Sequence, residues 1–568
     1  MPMISQIRQS IRKTFKRATL NFIFIIAFVN TFQAVFGPKN SIVGVIFAIM
    51  MSASMVRDMT ARPVKHLLIQ ALVLVLMGVS ACLVNTLSPW WALPVNLATV
   101  FLILYAFTYE YATHMYFPYI LSYLFLVFIS PVTPAQLPKR VAGLLVGAVC
   151  IILYQLFTGR RRVVETAHDV LTGLIEQVRT SIDCLLTGRG ELADRDAVRS
   201  SLCHLSRMVY DRRKKVLCVS DASFSIIDAG RGLEHLVLLL HDLSTSDAQA
   251  HADMLRRISD QLEGCAAYVR RETGALPELD ISPAGPVERE LCDGLSYVRT
   301  CLVHMSDPER REHYHETALS LSVRVKAALD VSRVRLVYAL RVSLLLALFT
   351  LGVQLLALPH GKWLLFTLAS LSLPYADDVG LKTKKRILAT ILGGLFSVAA
   401  YGLIPSPAGR TALMMASGYL SFYFSDYTGT YACSTVGALG GAVFMSAFGL
   451  GDVGSMFLIR VGYIVLGAVL AWLFNCVLFP FRRSKATRLL LDKYASTTEL
   501  LTQVCQADDP DPQLYYNLVI QAHLQEDKLA ANAAAEGWGE DMGELVSKCR
   551  AKVRQAHRHN SVTPILSW

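Results

Sequence analysis

The residues from Arg341 to Gly394 restrict the fold of this chain more than any other stretch. An apolar run from Val342 to Leu358 meets a polar corner, Pro359-His360-Gly361-Lys362-Trp363, and a shorter apolar run then stops at Pro374. Two carboxylates follow, Asp377 and Asp378, then a basic cluster of Lys382, Lys384, Lys385 and Arg386, then another apolar run. A helix needs about 20 apolar residues to cross the hydrocarbon core of a bilayer. The two outer runs have roughly that length, and the run between them falls short. In hydrocarbon a lone segment can satisfy its backbone only as a helix, so the expected fold class is an all-α polytopic membrane protein.

Bulk composition agrees. Hydrophobic residues make up 53% and charged residues 17% of the chain, with mean hydropathy +0.41. The net charge of +11 collects at the ends of apolar runs, as the positive-inside rule describes. The lipid bilayer therefore accounts for the charge, and nucleic acid is not an expected partner. The twelve cysteines include no CxxC pair, so they are read as reduced thiols, with no metal site and no cofactor expected. The N-terminal Arg8, Arg12, Lys13, Lys16 and Arg17 precede an apolar run without a small-residue cleavage motif. That run is expected to stay as a first span.

Six spans are expected in the first block, at 18 to 36, 41 to 56, 67 to 87, 91 to 108, 117 to 130 and 140 to 158. Residues 163 to 335 then carry frequent charges. Ala167, Leu171, Leu174, Val178, Ile182 and Leu185 recur there at three- and four-residue spacing, the stripe of an amphipathic helix. A second block of six spans is expected at 336 to 358, 362 to 374, 387 to 404, 411 to 424, 430 to 449 and 456 to 479. The domain plan is a basic N-terminus (1–17), a membrane block (18–160), a helical cytoplasmic domain (161–335), a second membrane block (336–481) and a helical tail (482–568). Arg160-Arg161-Arg162 and Arg482-Arg483 put both termini and both soluble parts in the cytoplasm.

The blocks repeat one another in order. Arg17-Ala-Thr-Leu parallels Arg341-Val-Ser-Leu, Gly37 parallels Gly361, Glu110-Tyr111 parallels Asp426-Tyr427, and Arg140-Val141 with Gly147-Ala148-Val149 parallels Arg460-Val461 with Gly467-Ala468-Val469. An even number of spans per copy gives parallel repeats about an axis along the membrane normal.

Arg341, the Leu358-Pro-His-Gly-Lys-Trp363 turn and Arg386-Ile-Leu-Ala-Thr390-Ile-Leu-Gly393-Gly394 resemble the fusaric acid resistance, or aromatic acid exporter, family. Alanine precedes the threonine where that family usually has glycine. The resemblance implies a bacterial inner-membrane transporter, by analogy a proton-driven exporter of aromatic carboxylic or similar small organic anions. A homo-oligomer and a periplasmic accessory protein remain open as partners. A passive anion channel and a membrane scaffold are the alternatives.

Ionisable residues inside apolar segments usually face a cavity or a partner. Glu110 and Asp426, each among aromatic residues, are candidate proton carriers. Arg140 and Arg460, with Tyr111, Tyr116, Tyr427, Tyr431, Lys362 and Trp363, are candidate substrate contacts, because a guanidinium binds a carboxylate bidentately. Asp377, Asp378 and Arg386 would stand at the cytoplasmic mouth. For each the bland reading is an interfacial anchor, a helix cap or a surface ion pair. No catalytic constellation occurs. Gly449-Leu-Gly451-Asp-Val-Gly454 joins two apolar runs and follows no strand, and Gly361-Lys362 lacks the rest of a phosphate loop. His313 and His315 are expected on different faces of a helix, as solvated surface.

Overall fold

The computed structural model describes residues 2–54, 63–109, 111, 115–159, 162–213, 217–279, 281–315, 332–404, 406–424, 426–444, 450–507, 510–537 and 540–560. Among them the chain is helical, with no strand. In chain order the helices are α1 (Pro2–Phe36), α2 (Ser41–Ser54), α3 (Pro63–Thr86), α4 (Pro89–Phe107), α5 (Tyr116–Phe128) and α6 (Leu137–Gly159). Next come α7 (Arg162–Thr187), α8 (Arg195–Arg212), α9 (Asp221–Asp242), α10 (Thr245–Ala250), α11 (Ala252–Val269), α12 (Pro286–Ser306) and α13 (Pro308–Glu312). Then follow α14 (Arg333–Leu355), α15 (Lys362–Leu371), α16 (Asp377–Leu403), α17 (Pro407–Leu420), α18 (Tyr427–Phe444) and α19 (Leu450–Trp472), and finally α20 (Arg483–Cys505), α21 (Pro512–Glu536) and α22 (Glu540–Asn560).

Two compact units result. One gathers residues 1–56, 64–154 and 332–485; the other gathers 57–63, 155–331 and 486–568. In the first unit each of the twelve expected spans meets a helix, and seven helices are long and apolar enough to cross a membrane. α5 and α15 are apolar but only 13 and 10 residues long, so the short run of the opening stretch is a short helix. The core of this unit joins α2 to α6 with α14 and α15 through Phe47, Tyr123, Leu346 and Leu365, all buried. Several boundaries differ from expectation by a few residues, and the start of α16 differs most. α16 starts at Asp377 instead of 387, because two acids in its first turn suit the positive end of the helix dipole. The basic cluster therefore lies inside the helix and not in a link.

The second unit packs α7, α8, α9, α11 and α12 around a core that takes in the whole predicted stripe of Ala167, Leu171, Leu174, Val178, Ile182 and Leu185. The tail does not stand apart as a separate domain, because α21 lies against α8. Glu526 there is 2% exposed and receives Arg199 at 2.8 Å and Arg550 at 2.6 Å. Ser206 Oγ lies 2.6 Å from His523 Nδ1, and Arg207 pairs with Asp527. Ala530 to Glu536 forms the end of α21, in keeping with alanine's helix propensity. The helix expected over 309 to 335 falls largely on residues outside those described; within them, α13 ends at Glu312 and the chain runs extended through His313.

Candidate functional site

Two glycines build the site. A Cβ on Gly393 would stand 2.4 Å from the Ala432 carbonyl oxygen of α18, and one on Gly394 would stand 1.9 Å from the Phe457 ring of α19. Only bare backbone lets both helices approach α16 this closely. Arg386 lies about two turns before Gly393 on the same face. Tyr431 adjoins Ala432, and Arg460 is about one turn beyond Phe457. The close approach therefore draws two guanidiniums and a tyrosine together.

A ladder of cations and rings follows from it. The Arg460 guanidinium sits 5.2 Å from the Trp363 ring centroid, and Arg386 sits 4.3 Å from that of Tyr431. The Lys382 ammonium, one turn before Arg386, lies 5.5 Å from the Tyr427 ring and 5.9 Å from Phe117. Arg386 is near enough to repel both Arg460 and Lys382. Lys382 feels the carboxylate of Asp378, but neither guanidinium forms an ion pair among the described residues. Arg386 and Arg460 are 6% and 5% exposed, and the Nε of each is buried without a hydrogen-bond partner. Tyr427 lies beside Ser370, Tyr431 and Arg386, yet its buried hydroxyl makes no hydrogen bond of good geometry.

An unpaired charge at mid-span costs about 2.5–3.5 kcal/mol on the insertion scale, and two like charges facing each other add to it. Cation–π contact returns part of this, about 1–2 kcal/mol per pair. The deficit is what an anion would relieve. A carboxylate fits the planar guanidinium fork, and the rings of Trp363, Tyr427 and Tyr431 offer faces to an apolar or aromatic body.

Other buried arginines of this unit are spent on backbone. Arg140 donates to the Lys39 carbonyl at 2.8 Å and to the Ser130 carbonyl at 3.2 Å. Arg341 donates to Phe479 O at 3.1 Å, Pro374 O at 3.2 Å and Leu373 O. Arg335 donates to Tyr105 O at 2.6 Å. These carbonyls lie at or just beyond helix ends, where the last turn has no intrahelical donor. Arg140 thus holds the ends of the α1–α2 link and of α5, and Arg341 holds the chain where α15 breaks off.

The remaining candidates lie as follows. Glu110 is outside the described residues. Asp426 is exposed and caps α18, its Oδ2 accepting from Gly429 N at 2.8 Å. Tyr111 is buried; Tyr116 is buried with its ring 4.8 Å from Tyr338. Lys362 is half-buried at the start of α15. Asp377 accepts from the Arg483 backbone N–H at 2.7 Å, and Asp378 pairs with the Arg483 side chain at 2.7 Å. Arg386 stands within the ladder and not among these acids. Sequence reasoning missed Lys382 as a site residue, although its four-residue spacing from Arg386 puts both on one helix face.

A 143-residue part of the chain, 25% of its length, is 26% identical to the inner membrane protein YccS of Escherichia coli (strain K12), and the match spans 20% of that protein. No solved structure matches significantly. Residues 345–474, which hold Trp363, Lys382, Arg386, Tyr427, Tyr431 and Arg460, match the family described as fusaric acid resistance protein-like.

Proposed function

We propose that this chain is a multi-pass inner-membrane secondary transporter of small organic anions, aromatic carboxylates among them, and that the anion binds at Arg386 and Arg460. One observation carries the reading. Two buried guanidiniums stand near enough to repel, each against an aromatic ring, with no carboxylate paired to either among the described residues. The family description names resistance to an organic acid, and the E. coli relative is by name an inner membrane protein.

Internal duplication is part of the proposal. Gly147 of α6 abuts Phe47 of α2, and Gly467 of α19 abuts Thr367 of α15, so the sixth helix of each block meets the second through the matched glycine. The first helix of each block also touches the fourth of the other. Thr19 Oγ1 is 2.8 Å from the Tyr419 hydroxyl, and Arg335 reaches Tyr105. Both patterns suit parallel repeats. Basic residues at the block ends support cytoplasmic termini.

Export would be proton-coupled, with Glu110 and Asp426 as carriers. A passive organic-anion channel is the second reading, favoured because the guanidiniums have no carboxylate beside them to hold the proton. An inside-negative potential of about 100 mV already favours outward movement of a monovalent anion by about 2.3 kcal/mol. Proteoliposomes loaded with labelled aromatic acids separate these readings. Efflux that follows an imposed pH gradient and loses that dependence in Glu110→Gln and Asp426→Asn supports coupling. Current without a pH gradient supports the channel. Transport of every acid unchanged in Arg386→Gln and Arg460→Gln refutes the site, and no transport of any acid leaves the scaffold.

A further inference from the structure

The second unit holds a cluster unconnected with anion transport. His313 Nδ1 lies 2.7 Å from Asp221 Oδ2, and His315 Nε2 lies 3.2 Å from Asp221 Oδ1. The three ligand atoms all fall within 4.8 Å of one another. The reason is local. His313 has φ −80° and ψ 125°, an extended backbone in which alternate side chains share a face. His313 and His315 therefore turn to the same side, their rings perpendicular at 4.8 Å. On a helix the same spacing would part them.

Asp221 is held for this geometry. It opens α9, its backbone N–H points at the His313 carbonyl at 3.4 Å, and its Oδ1 accepts from the Tyr516 hydroxyl at 3.2 Å. The carboxylate is 5% exposed, so each oxygen is turned to one imidazole. Hydrogen bonding explains half of the arrangement. His313 Nδ1 aligns with its oxygen, but His315 Nε2 is buried and makes no hydrogen bond of good geometry, although an oxygen is 3.2 Å away. Its nitrogen is aimed beside the carboxylate and not along it.

We propose that Asp221, His313 and His315 form a binding site for a divalent transition-metal ion, zinc by the chemistry of the donors. Two neutral imidazoles and a carboxylate are a common zinc donor set, with bonds of about 2.0–2.2 Å and a fourth place for water. Tetrahedral geometry at those lengths separates neighbouring ligand atoms by about 3.3 Å. His315 Nε2 already stands at about this spacing from Oδ1, and His313 Nδ1, now 2.7 Å from Oδ2, shifts toward the shared metal as the metal replaces its proton. Tyr516 supplies the outer hydrogen bond that orients a ligating carboxylate. The bound ion fastens the segment after α13 to the start of α9.

The test uses the full chain in detergent, purified without a histidine tag, stripped with chelator and titrated with Co²⁺ as a spectroscopic probe and with Zn²⁺. One equivalent of zinc retained through gel filtration is expected, together with the visible absorption of low-coordinate cobalt. His313→Ala removes both; its ring is more than half exposed, so the fold survives. Tyr516→Phe keeps the ligands and weakens affinity by about 10- to 100-fold. His204→Ala, outside the cluster, leaves the titration unchanged. Metal content and cobalt spectrum identical in wild type and His313→Ala, or no metal retained by wild type, overturns the proposal.

Discussion

Replacing Arg460 by methionine should stabilise the ligand-free protein, whereas the same change at Arg341 should destabilise it. Both arginines are buried in apolar helices, at 5% and 2% exposure, and sequence alone does not distinguish them. Arg460 has no carbonyl or carboxylate partner among the described residues; it lies over Trp363 and is repelled by Arg386. Its removal returns the cost of a mid-span charge, about 2.5–3.5 kcal/mol, and forfeits a desolvated cation–π contact of about 1–2 kcal/mol. The net gain is about 1–2 kcal/mol, which for a unit of this size raises Tm by about 2–4 °C. Arg341 binds the Phe479, Leu373 and Pro374 carbonyls. Each buried carbonyl left without a donor costs about 1–3 kcal/mol, so Arg341→Met loses about 3–5 kcal/mol after allowing for the charge removed with it. Thermal melts of the two variants in one detergent, without substrate, make the comparison. If Arg460→Met lowers Tm as far as Arg341→Met, Arg460 is a structural clamp and the anion site is wrong.

Gly394→Leu should abolish transport and lower Tm by several degrees, since even a Cβ there would enter the Phe457 ring; Phe457→Ala in the same chain should restore part of the Tm, read by the same melts. Trp363→Leu should weaken binding of aromatic acids more than of aliphatic ones, by about 0.5–1.5 kcal/mol for the lost ring stacking, measured as a shift in apparent affinity for efflux. Burial alone would raise the Glu526 pKa, but Arg199 and Arg550 hold it well below the usual carboxylate range. Its contribution is therefore complete above the unfolded value of about 4.3, and it declines as pH falls below that toward the depressed folded value. Glu526→Gln should flatten the acid side of the pH–stability profile, followed by circular dichroism, while costing about 1–3 kcal/mol at neutral pH, because Arg199 and Arg550 lose the carboxylate they share and keep only Glu234 and Asp196.

Much of the fold is legible in the sequence because apolar length and charge placement act locally. The helical class, seven helices long and apolar enough to cross a membrane and the α7 stripe follow from them, whereas helix ends such as the start of α16 do not, because basic side chains sit there on a helix that the acids Asp377 and Asp378 have already begun. The candidate site is legible only in pieces. Trp363, Arg386, Tyr431 and Arg460 each stand out as charged or aromatic residues in apolar surroundings, but they come together only because Gly393 and Gly394 admit α18 and α19, a packing event with no sequence period. Sequence symmetry also misleads here. Arg140 and Arg460 occupy matched motifs, yet one is spent on the Lys39 and Ser130 carbonyls and the other is not. His313 and His315 are misplaced for a simpler reason, a helical period applied to an extended segment.

The difference between the arginines comes from where the helices break. A guanidinium has five N–H donors and no acceptor, so in a dry interior it goes to the nearest free carbonyls, which are found at helix ends. The short helices α5 and α15 bring such ends inside the unit, at Ser130 and at Leu373 and Pro374, and Arg140 and Arg341 close them. Arg386 and Arg460 lie in the middle of long helices whose carbonyls are already used within the helix, at residue 10 of 27 in α16 and residue 11 of 23 in α19. They find ring faces and each other. A chain that interrupts some of its spans therefore produces two classes of buried arginine, one whose terminal nitrogens hold the interruptions in place and one with no carbonyl to hold. A travelling carboxylate can compete only for the second class, and the opposite Tm shifts of Arg341→Met and Arg460→Met measure that division directly.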